Sequence, residues 1–397
     1  MLIGDDKAVL NWKACMGVCD KSRMRSLGAT RLVIIGSLLG TVLGIQMLAP
    51  LASAQTLRRS RGNLQIYFVD VEGGQATLFV MPHGQSLLID TGFAGHRGRD
   101  ADRIVAAARM AGLRRLDYVL ITHYHGDHVG GVPELSERIP IGTFFDHGPN
   151  REVEPEKSRQ STKAGYDAYQ KLLATMKYKH TILHAGDRLP IKDIDAMVVS
   201  GDGSVIEHPL PGAGATNPSC GATDQPPVGL EGPDLTENGR SLAIVIQFGL
   251  VRILDAGDLT WDRERMLMCP ANMLGHVNLF IVGNHGMMPS TSPALVNGIA
   301  PQVAIMDNGS TKGGTVRVLD LIRDAPSRPV LWQLHYAEQA GTHNTATPLI
   351  ANLVAPSGQG PTQTDDNGFM LKVTVNRNGR FTVMNNRTGE AKEYIAR

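Results

Sequence analysis

The sequence predicts an α/β fold, a layered sandwich of helices and strands made of two similar halves. Three observations predict it. From residue 64 onward, short runs rich in apolar and β-branched residues alternate with stretches of helical periodicity. The order recurs with its punctuation, since Leu88-Ile89-Asp90-Thr91-Gly92 closes one hairpin pattern and Ile253-Leu254-Asp255-Ala256-Gly257 closes another. His123 and His285 then follow the next apolar run of each half, 33 and 30 residues after Asp90 and Asp255. Two units of this kind are expected to stack with one site between them.

In chain order, the first 54 residues read as a leader. Arg23, Arg25 and Arg31 precede an apolar run at 32–49, and Pro50 and the small-x-small triplet Ala52-Ser53-Ala54 follow it, which is the order of a secretory signal. About 18 apolar residues also suffice to cross a bilayer, so the alternative is an uncleaved anchor. The expected location is periplasmic or secreted, or tethered to the inner membrane by residues 32–49, with no other membrane contact. Met24 would be a more usual start, which leaves residues 1–23 as a mis-assigned start or a cytoplasmic extension.

Of 39 basic and 38 acidic residues, the leader holds six and three, so 33 basic and 35 acidic remain. That balance argues against a nucleic-acid protein held by a uniformly basic face, and 42% hydrophobic residues are enough to bury a core. Cys15 and Cys19 belong to the leader. Cys220 and Cys269 either pair, as an exported chain permits, or leave Cys269 as a buried free thiol.

A strand is expected at 64–71 and a hairpin at 76–81 and 86–89, separated by Gly73-Gly74 and Pro82-His83-Gly84. A helix at 100–111 stops at Gly112, and residues 118–121 form a buried strand. The second half repeats this with a hairpin at 242–248 and 251–254, a helix at 259–268 and a strand at 277–282. Helices at 293–299 and 316–322 and strands at 303–306 and 330–334 follow, and strands at 369–375 and 381–384 close the chain. Length alone would suggest two or three domains. The repeat predicts one duplicated domain over 64–397, with a polar, partly helical insertion at 152–180 and a Pro- and Gly-rich loop without its own core at 204–239.

The chemistry is concentrated in Thr122-His123-Tyr124-His125-Gly126-Asp127-His128, directly after a buried strand. Three imidazoles and a carboxylate this close cannot all enter an apolar core, so they face water or metal. In a tight loop His123 and His125 can converge on one cation while Asp127 and His128 turn toward a second. Nitrogen and carboxylate donors suit zinc, one ion or two, with manganese or iron as alternatives.

These residues resemble the His-x-His-x-Asp-His motif of the metallo-β-lactamase superfamily, which implies a four-layer αβ/βα sandwich. The flavour is that of the hydrolase domain of ComEC-type DNA-uptake proteins, carried by Phe68-Val69-Asp70-Val71, Gly73-Gly74-Gln75-Ala76, Leu88-Ile89-Asp90-Thr91-Gly92, His125-Gly126-Asp127-His128-Val129-Gly130-Gly131 and Asn284-His285-Gly286 ahead of Ser290-Thr291-Ser292. The resemblance implies His123 and His125 on a first metal, Asp127 and His128 on a second, Asp258 bridging them and His285 as the last ligand of the second. Asp90 would accept a hydrogen bond from a ligand histidine, the alternative for Asp90 and Asp255 being turn residues. The third first-metal histidine of most members is missing, since Ser200-Gly201-Asp202-Gly203 stands in its place. His147 or, less well supported, Asp202 could substitute, or the site is mononuclear.

Such ions lower the pKa of bound water toward 7 and stabilise charge on the attacked group, with Asp127 orienting the water or shuttling a proton. A metal-bound hydroxide acting on a phosphodiester or another small-molecule substrate is expected. Arg97, Arg99, Arg103, Arg114 and Arg115 are available as phosphate partners, or form a solvated helix face. The alternatives are a carbonyl hydrolase acting on a lactam, ester or thioester, and a non-catalytic metal-binding module. Residues 309–315 lack phosphate-loop spacing and read as a flexible loop. His335 and His343 read as surface or core histidines with cleft lining as the alternative, and Trp261 and Trp332 read as core.

Overall fold

The computed structural model describes residues 62–152, 162–221, 224–353 and 367–397. The expected leader, with its apolar run and its Ala52-Ser53-Ala54 triplet, lies outside the described residues, as do residues 153–161 of the first insertion. Among the described residues no helix is long and apolar enough to cross a membrane.

The first half runs β1 (Asn63–Phe68), β2 (Thr77–Val80), β3 (Ser86–Ile89), α1 (Arg99–Met110), β4 (Leu116–Leu120), α2 (Val132–Ser136), β5 (Ile141–Asp146), α3 (Thr162–Met176) and β6 (Lys179–Ile182). The second runs β7 (Asp195–Gly201), β8 (Ser204–Val205), β9 (Ala243–Phe248), β10 (Val251–Asp255), α4 (Trp261–Met268), β11 (Leu279–Ile281), α5 (Pro293–Ile299), β12 (Val303–Met306), α6 (Val316–Asp324), β13 (Val330–His335) and β14 (Ile350–Asn352). The chain closes with β15 (Leu371–Asn376), β16 (Arg380–Asn385) and β17 (Ala391–Ile395).

The repeat read from the sequence is present in the strand pairing. In the first sheet β1–β2–β3 pair antiparallel and β3–β4–β5–β6 parallel. In the second, β7–β9–β10 pair antiparallel and β10–β11–β12–β13 parallel. The tail strands do not extend the second half: β15 crosses back to pair antiparallel with β1, making a nine-stranded sheet against an eight-stranded one. Residues 179–182, at the end of the polar insertion expected over 152–180 and just beyond it, form the exposed edge strand β6. Its four exposed side chains gave no alternating signal.

The central strands of both sheets are covered on both faces, which is why they read as continuous apolar runs, whereas β15 and β16 alternate buried and part-exposed residues. Leu64, Ile66, Phe68, Leu87 and Ile89 meet Ile253, Leu279, Ile281 and Trp332 between the sheets. The alternate residues Tyr67, Val69 and Leu88 pack under α1 with Ala101, Ile104 and Ala108. Leu254, Phe280 and Met306 pack under α4 to α6 with Leu267, Leu295 and Leu319. The four layers are therefore helix, sheet, sheet and helix, as expected. Trp261 and Trp332 are buried core residues.

Among the described residues of the loop at 204–239, the regular structure is the two-residue β8 and a 3-10 turn, and the loop is anchored to the second half. Ile206 and Leu210 are buried, Leu210 N–H donates to Met273, and Cys220 is disulfide-bonded to Cys269. The two cysteines are thus paired, and the free-thiol alternative falls.

Candidate metal centre

The site lies at the carboxyl ends of the parallel strands, where a sheet of this kind leaves a crevice. His123, His125, Asp127 and His128 follow β4, Asp258 follows β10, His285 follows β11 and Asp307 follows β12. After β4 the chain closes one helical turn, with His128 N–H and Val129 N–H both donating to the His125 carbonyl. Tyr124 and Val129 are turned into the outer core and the polar residues inward. Gly130 and Gly131 are required here, since a Cβ on either would lie 2.1 Å from the carbonyl oxygens of Gly126 and Thr91. His285 sits in the left-handed region at φ 53, a conformation few non-glycine residues adopt and one that aims its ring at the loop after β4.

Four donor atoms converge in one place. His285 Nε2 lies 3.1 Å from Asp127 Oδ2, 3.2 Å from His128 Nε2 and 3.5 Å from Asp258 Oδ1, and His128 Nε2 is 3.3 Å from both carboxylates. The edge of a tetrahedron around zinc with bonds of about 2.0–2.2 Å is about 3.3–3.6 Å. Beside it, His123 Nε2 and His125 Nδ1 are 2.9 Å apart, and the other Asp258 oxygen, Oδ2, lies 3.9 Å from His123 Nε2. Asp258 Oδ1 is buried and accepts no hydrogen bond, an expensive state for a carboxylate that a cation would relieve. The donor set therefore fits one ion in the four-donor group, and a second between His123, His125 and Asp258.

The far nitrogens of His128 and His123 are hydrogen-bonded, while those of His285 and His125 face a carboxylate without a hydrogen bond. His128 Nδ1 lies 2.7 Å from Asp90 Oδ2. Asp90 also accepts from Thr122 N–H and Thr122 Oγ1, and that hydroxyl lies 3.1 Å from His123 Nδ1. His285 Nδ1 faces Asp307 at 3.3 Å, and His125 Nε2 faces Glu152 at 3.6 Å. Each ring thereby turns its remaining nitrogen inward, the arrangement carboxylates and hydroxyls impose around metal-ligating histidines. Asp255 behaves differently from Asp90: it accepts from Gln75 Nε2 and Gly257 N–H, tying the two halves together, and burial pushes its pKa up to about 7.

Electrostatics at the centre follow from burial and crowding. Burial, reinforced by the neighbouring His128, holds the His123 imidazole well below its ordinary pKa. Burial opposes ionisation of Asp258, yet His128 and His285 outweigh it and keep the carboxyl low; His128 and Lys312 do the same for Asp127. Both carboxylates are thus charged and ready to accept a cation.

His147 is not brought into the donor group. Its Nε2 pairs at 2.9 Å with the buried Glu237, and its ring packs on Tyr124. Asp202 is engaged by Arg151 and Arg240 on the surface. Neither replaces the missing histidine. The arginines are also committed in part: Arg99 binds Asp100, Arg103 binds Asp70 and Arg115 binds Asp117. His335 is buried against Asp70 and His343 pairs with Asp320. Sequence reasoning missed Glu152, Asp307, Lys312 and Ser241, whose Oγ lies 3.4 Å from His123 Nδ1 and accepts from Asp258 N–H. Only Asp307 carried a signal, as an acidic residue directly after an apolar strand.

A family model described as the metallo-beta-lactamase superfamily matches residues 69–270, just over half of the chain. The chain belongs to the metallo-beta-lactamase superfamily. Membership agrees with the metallo-hydrolase expected from the sequence. The chain is 24% identical over 252 residues to Recombination protein 2 of Haemophilus influenzae, covering 63% of this chain and 25% of that protein. It is 29% identical over 144 residues to an atrochrysone carboxyl ACP thioesterase of Cryptosporiopsis sp., covering 34% of this chain and 42% of the relative. It therefore spans less than half the length of these curated relatives. Among solved structures, a metal-dependent hydrolase of the beta-lactamase superfamily aligns with a TM-score of 0.42 at 14% identity, covering 69% of this chain and 97% of that one.

Proposed function

We propose that the chain is a hydrolase that holds two divalent cations, zinc by the chemistry of its donors, and cleaves a phosphodiester. The observation that carries this reading is Asp258, whose Oδ1 faces the His128 and His285 nitrogens while its Oδ2 faces His123. A carboxylate so placed could serve both donor groups, and two divalent cations held there would supply an acidified water and charge neutralisation for hydrolysis.

The chain's own residues do the remaining work. His123 and His125 would hold one ion, and Asp127, His128 and His285 the other. Asp90 fixes the His128 ring through a hydrogen bond, and the charges of Asp307 and Glu152 favour the orientation of the His285 and His125 rings. Asp127, the most exposed of the carboxylates at the centre, can orient the attacking water and hold its proton. The disulfide supports export, because such bonds persist in oxidising compartments.

Thioester hydrolysis is the second reading, favoured by the similarity to a thioesterase. The full chain loaded with zinc, and a His125→Ala variant, would be assayed on bis(4-nitrophenyl) phosphate, a lactam and a thioester. The phosphodiester reading expects turnover of the phosphate ester, lost in the variant. Turnover of the thioester alone would replace it, and bound metal with no turnover would favour a binding module.

A further inference from the structure

The loop after β12, expected to be flexible, is built into the site. Gly309 N–H donates to the Lys312 carbonyl, Gly314 N–H to His285 and Thr315 N–H to Gly286, while Glu338 N–H donates to Ser310. The glycines permit this closeness. A Cβ on Gly73 would lie 2.9 Å from Gly309 N, and one on Gly313 would lie 2.1 Å from the His285 carbonyl oxygen. The loop is therefore clamped between the Gly73-Gly74 turn of the first half and the His285 loop of the second.

The clamp delivers one side chain to the metal centre. Lys312 Nζ contacts Asp127 Oδ2 and lies 5.3 Å from the centre of the Phe93 ring, with about a third of the side chain exposed (33%). We propose that Lys312, held at the rim by this double-glycine clamp, is a substrate-binding residue that grips an anionic oxygen of the substrate and makes the site selective for anionic over neutral esters. The inference rests on the hydrolase reading above.

Charge supports it. With two divalent cations bound, the donors Asp127 and Asp258 and the carboxylates of Asp90, Asp307 and Glu152 behind the rings would leave the centre close to neutral, and the Lys312 ammonium on its exposed side supplies a local positive charge for an incoming anion. Lysine suits the task, since its point charge on a flexible stem can leave Asp127 and follow a non-bridging phosphate oxygen. The nearby Arg99 and Arg103 are engaged with Asp100 and Asp70.

The experiment uses the full chain loaded with zinc, as wild type, Lys312→Ala and Lys312→Arg. Binding of inorganic phosphate is measured by calorimetry, zinc affinity by chelator competition, and turnover on bis(4-nitrophenyl) phosphate and on the neutral 4-nitrophenyl acetate. Lys312→Ala is expected to weaken phosphate binding and to lower kcat/KM for the phosphate ester by roughly 10- to 100-fold, the worth of a charge-assisted hydrogen bond. Zinc affinity and neutral-ester turnover should change less than about threefold, and Lys312→Arg should recover most of the loss. Unchanged phosphate binding would overturn the proposal. So would an equal loss on both esters together with weaker zinc binding, because Lys312 would then only position Asp127. If wild type binds phosphate through Lys312 but leaves the phosphodiester intact, the inference stands and the phosphodiester reading falls.

Discussion

Asp258 Oδ1 lies 3.3 Å from His128 Nε2, while the second oxygen of the same carboxylate is directed to His123 on the other side of the centre. One side chain thus belongs to both donor groups, and substitutions should sort by that membership. Asp258→Ala is expected to empty both positions and lower kcat by roughly 10³-fold or more. His285→Ala should empty the four-donor position first, and His125→Ala the other. Metal stoichiometry by elemental analysis checks this, and equal loss from His125→Ala and His285→Ala would contradict two separable positions.

Asp307 faces the outward nitrogen of His285 and touches no inward donor. Asp307→Ala should therefore weaken zinc binding by about 10- to 100-fold without changing the number of ions bound at saturation. Chelator competition reads both quantities, and a lost ion at saturation would make Asp307 a ligand.

The buried pair of His147 and Glu237 makes a contrasting prediction. His147→Ala should leave the metal content intact and cost about 3 kcal/mol of stability, because Glu237 is left without its buried partner. Urea unfolding and elemental analysis together decide between a structural and a ligating role.

The Cys220–Cys269 bond spans 49 residues of sequence and pins the long loop to the second half. Closing a loop of that length stabilises the fold by about 4 kcal/mol in the chain-entropy account. A Cys220→Ser/Cys269→Ser double variant should lose about that much in urea unfolding, and reductant should lower wild type to the same level while leaving the variant unchanged.

Glu264 gives a pH dependence of defined sign. Its carboxylate accepts from Thr291 and Ser292 N–H at the start of α5, yet burial pushes its pKa from an ordinary 4.5 up to about 7. Between those values the folded chain holds a proton that the unfolded chain has lost. Its contribution to stability is therefore complete below about 4.5 and is lost as pH rises to about 7, a change of about 3 kcal/mol. Unfolding free energies at pH 5, 6 and 7.5 should fall more steeply in wild type than in Glu264→Gln, which keeps the slope that Asp255 contributes over the same range. Equal slopes in the two would contradict it.

The fold was legible because its central strands are buried on both faces and its helices on one, so that apolar runs, helical spacing and the Asp90 and Asp255 turns marked both halves. The edge strands β6 and β17 escaped, since their mostly exposed side chains carry no burial pattern. The core of the site was legible for a related reason: His123, His125, Asp127 and His128 crowd into six residues after a buried strand, a density an apolar core cannot absorb.

Sequence by itself determined the duplicated α/β sandwich, the donor types and the expectation that Asp90 stands behind a histidine. Tertiary structure alone decided that His147 turns to Glu237 and not inward, that Asp307 and Glu152 back the rings of His285 and His125, and that Lys312 reaches Asp127. The physical reason is sequence separation. These partners lie tens to nearly two hundred residues apart, and the pairing of neighbouring strands within each sheet together with the stacking of the two sheets sets which charges share the crevice at their strand ends.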